Sequence, residues 1–287
     1  MAGSNITLVV GTGYVGERVL ARLPDGEATG LNRTERRAPH PVHRYDLDAD
    51  GPLPLRLPAR YRVLYTVAPA ANSAADQRLE RFLRQLRPAP ACFVYISTTG
   101  VYGDRDGQLV GERDEPRPQT ARARRRQVAE QALREWGEVT GTRICILRAP
   151  GIYGPGRLGV ERIRAGIPVL READATPGNR IHVADLVSCC LAALSDADAG
   201  GVFNVGDGDF RSSTAFAQEV ALQLDLPPLP EVGRAQAERE FSRARLSFLA
   251  ESRRIDTRRM REVLGVTPRY AQAADGIRAS LREEGLL

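Results

Sequence analysis

The chain has 287 residues, 42% hydrophobic and 27% charged, with a net charge of +5 and a pI near 9.3. That is enough apolar material for one large core or a core with a smaller satellite, and the mild basic excess suits anionic ligands without calling for nucleic acid. No lysine occurs among the 41 basic residues, so every mechanism that needs one is excluded; arginine keeps its proton at working pH and can orient or neutralise, but not relay protons.

The N-terminus enters a strand almost at once, with no basic leader, long apolar segment or glycine at position two, the pattern expected of a cytoplasmic protein without a membrane anchor. Apolar runs predict strands at Ile6 to Val10, Ala28 to Leu31, Arg62 to Val67, Cys92 to Ile96, Arg143 to Leu147 and Val202 to Val205. Helical patterns fall between them, at about Val15 to Leu23, Ser73 to Leu86, Ala121 to Val139 and Ala184 to Leu194. This alternation predicts an α/β fold, a Rossmann doubly wound parallel sheet with a smaller C-terminal substrate-binding cap. The expected division is a dinucleotide-binding domain over 1–155, completed by about 181–205, with the cap formed from 156–180 and 206–287.

In the third helix, Val128, Ala132, Trp136 and Val139 repeat at helical spacing, while four arginines crowd its start, where the helix dipole disfavours cations. The segments 49–61 and 225–233 read as a proline-rich loop and a linker. Near the C-terminus, 256-DTRRMREVLGV-266 reads as a short helix that Asp256 or Thr257 can cap, with an apolar Met260, Val263 and Leu264 face and Gly265 as its left-handed stop. The four cysteines, Cys92, Cys145, Cys189 and Cys190, lie in apolar runs with no metal or redox spacing, and three scattered histidines offer no metal site. Reduced, buried thiols and no metal are expected.

The strongest chemical signal is 6-ITLVVGTGYVGERVL-20, a strand running into G-x-G-x-x-G and then a helix. Gly11 permits the turn, Gly13 lets main chain approach a pyrophosphate and Gly16 lets the helix pack close, with Tyr14 and Val15 completing the loop. After the second strand, where an NAD site would carry Asp or Glu, stand Asn32 and Arg33. A carboxylate there would repel a 2'-phosphate and an arginine would pair with it, so NADP is expected over NAD.

Further motifs stand in order: 45-YDLD-48, 64-LYTVAPA-70, 95-YISTTGVYGD-104, 146-ILRAPGIYGPG-156, 180-RIHVADLV-187, 201-GVFNVGDG-208 and 251-ESRRIDTRRMREVLGVTPRY-270. Together with the glycine loop they make the chain resemble the NAD(P)-dependent epimerase/dehydratase branch of the extended short-chain dehydrogenase/reductases over nearly its whole length. The resemblance implies that Asp46 and Leu47 flank the adenine, that Val67, Ala68 and Pro69 line the cofactor cleft, and that Thr98 occupies the family's catalytic Ser/Thr position. It also implies a Tyr-x-x-x-Lys pair on the next helix, four and eight residues before Glu130, where this chain has Arg126 and Arg122. Arg126 can still hold ribose hydroxyls, whereas Arg122 cannot relay a proton.

A replacement would have to be Tyr102, Tyr153, His182, a carboxylate or water. Thr99-Gly100 stands in place of the dehydratases' Asp-Glu, and Gly151 in place of a substrate-contacting Asn. Tyr102 and Tyr153 are expected at the cleft mouth, and Tyr153, Arg157, Arg180 and His182 are candidate substrate contacts, the arginines as a clamp for an anion. The expectation is an NADP-dependent oxidoreductase or epimerase-like enzyme acting on a small metabolite, for which the candidate arginines would suit an anion. The alternatives are an NADP(H)-binding sensor without turnover and a non-redox enzyme on the same fold. Neither nucleic acid nor membrane is expected as partner, and relatives commonly dimerise through helices like the third.

Overall fold

The computed structural model describes residues 6–36, 38–71, 76–196, 199–249 and 251–287. Seven strands form one sheet: β1 (Ile6–Val10), β2 (Ala28–Asn32), β3 (Val42–Arg44), β4 (Tyr61–Tyr65), β5 (Cys92–Thr98), β6 (Arg143–Ala149) and β7 (Gly201–Asn204). Their order is β7-β6-β5-β4-β1-β2-β3 and every neighbouring pair is parallel. A parallel sheet covered on both faces needs near-continuous apolar strands, which is why Cys92 to Ile96 and Cys145 to Ala149, apart from Arg148, are buried apolar positions.

Helices α1 (Gly16–Leu20) and α5 (Val183–Ser195) contribute to the core on one face; α2 (Gln77–Gln85) and α3 (Ala121–Thr140) pack on the other. A separate apolar cluster joins Tyr153 and Ile163 of α4 (Val160–Arg164) to Val220 of α6 (Ser213–Gln223) and to Ile277 and Leu281 of the C-terminal helix Ala273–Glu283. All four cysteines are buried free thiols. No helix among the described residues is long and apolar enough to cross a membrane.

Three local expectations are corrected. The buried face of α3 is not the one through Val128 and Val139, which are 44% and 87% exposed; Ala123, Ala129, Glu130, Leu133 and Gly137 face inward. A carboxylate and a glycine on that face hide it from a hydrophobic pattern. Glu130 is held by Arg148, and a Cβ on Gly137 would lie 2.4 Å from Ile144 Cγ1. The linker 225–233 contains a strand, Glu231–Val232, paired with Val169–Leu170. The helix predicted from Ser73 starts at Gln77, capped by Asp76 through Leu79 N, and residues 72–75 lie outside the described residues. At the C-terminal motif, Asp256 Oδ1 accepts from Arg258 N, and Gly265 has φ +64.

Candidate active site

The strand order reverses direction between β1 and β4, so the crevice beyond their C-terminal ends is where an open α/β sheet binds ligand. Gly11 leaves β1 with φ +87, and a Cβ there would lie 2.6 Å from Thr66 Oγ1. That hydroxyl donates to Gly11 O at 2.6 Å and so ties the two strand ends together. A Cβ on Gly16 would stand 2.1 Å from Gly11 O, whereas one on Gly13 would meet nothing within 4 Å. The loop therefore packs tightly at its first and third glycines and is open at the second. Tyr14 closes its flank, donating to Pro155 O at 3.0 Å, with Arg157 stacked 3.8 Å from its ring centroid. Arg157, expected as an anion clamp, sits on the loop side, while Val15 is a core residue.

One end of the crevice opens into a cavity of about 210 Å³ lined by Gly11, Asn32, Arg33, Asp46, Leu47 and Val67, with Arg78 at its side. Asn32 turns its amide to Thr34 O and Oγ1, at 2.8 and 3.1 Å, shaping the turn that presents the exposed Arg33. Arg78 grips the Asp48 carboxylate with both Nε and Nη2, which holds Asp48 below the usual carboxylate range. Ala68 O accepts from Arg78 Nη1 at 3.3 Å, and Pro69 follows it along the same edge.

On α3 the two arginines at the family's pair positions take different environments. Arg126 is half-buried, and its Nη1 donates to Ile96 O at 2.7 Å, Tyr95 Oη at 2.9 Å and Val67 O at 3.4 Å, bridging the ends of β4 and β5. Burial pushes the Tyr95 phenol up to about 12 despite the guanidinium beside it. Arg122, a turn earlier, is exposed and lines a second cavity.

That second cavity, about 290 Å³, is bounded by Thr98, Arg122, Gly151, Arg180, Glu251 and Arg253 among others. Thr98 ends β5, and its Oγ1 accepts from Gly100 N at 3.1 Å. Arg180 donates to Arg211 O at 2.8 Å and Ser212 O at 3.3 Å and lies over the Phe216 ring, so its partners are neutral carbonyls and not a carboxylate.

The other three candidates are elsewhere. Tyr102, expected at the cleft mouth, is fully buried and donates to Asn204 Oδ1 at 2.7 Å, with Arg148 4.8 Å from its ring centroid. Tyr153 is 3% exposed, packed on Gly276 and His182, and burial drives its phenol far above its ordinary range. His182 caps α5 by accepting from Ala184 N at 3.2 Å and meets Ser280 Oγ at 3.1 Å; burial lowers it to about 4. The two tyrosines, which follow β5 and β6, and His182, which ends a short strand before α5, are all buried, and for the tyrosines their position next to glycines does not reveal it.

Beneath Thr98 runs a buried polar chain. Ser97 donates to Glu130 Oε1 at 2.5 Å, Arg148 donates to both Glu130 oxygens at 2.6 to 3.3 Å, and Arg134 reaches Oε2 at 3.1 Å. Glu130 and Arg148 are 0% and 2% exposed.

A family model described as "NAD dependent epimerase/dehydratase family" matches residues 7–206. The chain belongs to that family. Among its relatives, protein YeeZ of Escherichia coli K12 is 30% identical over 190 residues, 63% of this chain and 62% of YeeZ. An uncharacterized protein of Sinorhizobium fredii, y4nG, is 30% identical over 135 residues, covering 45% of this chain and 34% of its own length. The match thus spans less than two thirds of either relative. A conserved protein of unknown function from Silicibacter pomeroyi has a solved structure with TM-score 0.83 and 28% identity, covering 97% of this chain and 99% of its own. MoeE5, solved with UDP-glucose and NAD, shares the fold at TM-score 0.78 and 21% identity, covering 99% of this chain and 100% of its own.

The residues present fit the family's dinucleotide: the open face at Gly13 and the two glycines that no side chain could replace form a cradle that a Cβ would fill. Three participants were not singled out in the sequence: Arg78, Glu251 and Arg253. Arg78 meets Asp48 only through tertiary contact. Glu251 and Arg253 have i, i+2 spacing, which in extended chain sets two side chains on one side. That spacing was legible, but nothing local said which surface it faced.

Proposed function

We propose that this chain is an NADP-dependent oxidoreductase or epimerase-like enzyme whose substrate is a small anion held between Thr98 and the arginines of the second cavity. The observation that carries the reading is a shared location: the glycine loop, the Arg33 cavity and the Thr98 cavity all lie at the C-terminal ends of β1, β4 and β5. Gly11, Gly13 and Gly16 would receive the pyrophosphate on main-chain N–H groups, Asp46 and Leu47 would bound the adenine, and Arg33 would pair with the 2'-phosphate. NADP, when bound, supplies hydride transfer.

The chain's own residues supply the rest. Arg126 braces the ends of β4 and β5 beside the place where the family's lysine would hold ribose. Thr98 offers a hydroxyl at the end of a strand fixed by Ser97, Glu130 and Arg148. Arg122 and Arg180 give the cavity positive charge without proton exchange.

Calorimetric titration with NADPH and NADH tests this: micromolar or tighter NADPH binding, at least tenfold stronger than NADH, is expected, and absence of binding by either would sink it. A sensor reading without turnover is favoured by one observation, that Tyr102, Tyr153 and His182 are all committed away from the cavity. NADPH consumption at 340 nm across a panel of anionic carbonyl compounds separates the two.

A further inference from the structure

With tyrosine, histidine, cysteine and lysine all absent from the lining of the Thr98 cavity, one side chain among its described residues is a carboxylate: Glu251. It is 7% exposed at the side chain, and its Oε2 accepts from Arg253 Nη1 at 2.7 Å. Its other oxygen, Oε1, is buried and has no hydrogen-bond partner. A buried carboxylate oxygen left unpaired costs stability, and native interiors rarely tolerate it unless a ligand completes the bond.

The segment carrying Glu251 is fastened to the turn that follows Thr98. Arg253 Nη1 also donates to Gly103 O at 2.8 Å, Ser252 N donates to Asp104 Oδ1 at 2.7 Å, and Ser252 O accepts from Arg105 N at 2.8 Å. Arg254–Ile255 then pairs in parallel with Leu109–Val110. Glu251 therefore lines the same cavity as Thr98, its segment held by these three bonds and a strand pairing, although 153 positions separate the two residues in sequence.

We infer that Glu251 is the catalytic residue that receives the substrate's hydroxyl, accepting its hydrogen bond on Oε1 and then its proton, in the place of the family's missing tyrosine. This rests on the oxidoreductase reading above. Oxidation of an alcohol breaks its C–H and O–H bonds and forms C=O: the hydride reduces NADP, the hydroxyl proton passes to the Glu251 carboxylate, and the carbonyl product leaves. Arg253 keeps Oε2 occupied, which leaves Oε1 as the carboxylate oxygen without a partner. Arg122 and Arg180 on the same cavity select a substrate that carries an anionic group as well as the hydroxyl, a hydroxy acid or a phosphorylated alcohol.

The test uses the full chain saturated with NADP and a set of hydroxy acids (glycerate, tartrate, gluconate) beside their deoxy counterparts (propionate, succinate, hexanoate). Calorimetry is expected to show at least one hydroxy acid binding tenfold or more tighter than its counterpart, with the preference lost in Glu251→Leu. In turnover of that compound, Glu251→Gln, which can still accept from Arg253, is expected to lower kcat by about 100-fold or more while KM stays within about threefold. No preference in the native chain, or one that survives Glu251→Leu, overturns the hydroxyl role. Turnover by Glu251→Gln within threefold of the native chain overturns the proton role alone. NADP binding without turnover of any member overturns the oxidoreductase reading and the proton role with it, and the calorimetric preference still reports separately on the hydroxyl contact. If Glu251→Leu fails to fold, calorimetry on Glu251→Gln decides: an undiminished preference for hydroxyl there, with a neutral acceptor, removes the need for a carboxylate.

Discussion

On the dinucleotide side of the cleft, between β1 and β4, the constraints fall on the main chain: Gly11 at φ +87, Gly16 against Gly11 O, and Thr66 bonded to the first glycine's carbonyl. On the side of α3 they fall on side chains, and there the chain carries Arg122 and Arg126. Arg126 keeps a place in the scaffold through three bonds from one nitrogen, whereas Arg122 faces the cavity from an exposed position. The difference teaches which part of a binding site can drift. A backbone cradle admits almost no substitution, since any Cβ fills it. A proton relay needs only some titratable group at the right place, which another segment of the chain can provide.

Six substitutions would break or sharpen that contrast. Glu130→Ala should be the most damaging, because it leaves Arg148 charged, buried and without its carboxylate; a loss of about 3–5 kcal/mol in urea unfolding is expected. Gly16→Ala, with its Cβ 2.1 Å from Gly11 O, should cost about 1–3 kcal/mol and abolish NADP binding. If it folds and binds normally, the main-chain half of the contrast is wrong.

Asp207 gives a pH-dependent check. It is 4% exposed, one oxygen is unpartnered, and burial raises it to about 7. A carboxyl raised on folding binds its proton more tightly in the native state, so it costs stability above pH 7 and costs none below the unfolded value near pH 4. Asp207→Asn should therefore stabilise the protein by about 1–2 kcal/mol at pH 8, and the gain should vanish on titration to pH 4. His182 has the opposite sign: lowered to about 4, it favours the folded state above pH 6.5, a contribution lost as pH falls towards 4.

The smallest stability effects belong to the exposed arginines. Arg33→Glu should leave the unfolding free energy within about 0.5 kcal/mol while shifting the NADPH-to-NADH affinity ratio at least tenfold towards NADH. Arg122→Ala should also stay within about 0.5 kcal/mol, against about 1–2 kcal/mol for Arg126→Met, which loses three hydrogen bonds to buried acceptors. Equal losses for the two would erase the distinction between a structural and a cavity-facing arginine.

Strand and helix alternation, the glycine loop and the order of motifs were legible because each rests on local rules: apolar runs for strands buried on both faces, and glycine where φ or close approach demands it. The placement of Tyr102 and Tyr153 was not. Each sits beside a glycine in a loop, and only the packing of Asn204 and Arg148 on one, and of Gly276 and His182 on the other, shows them buried. The inward face of α3 escaped for a related reason, since Glu130 and Gly137 become core residues only against partners on β6.

By itself the sequence determined the doubly wound sheet, the glycine loop and the absence of lysine, all of which are written in residue identities and their local spacing. Only the tertiary structure decided which titratable groups meet Thr98. It buried two tyrosines and a histidine and brought Glu251 to the lining of the Thr98 cavity by pinning a distant segment to the turn after Thr98. Local spacing carries backbone geometry, but the surroundings that make a side chain reactive are assembled from residues far apart in the chain.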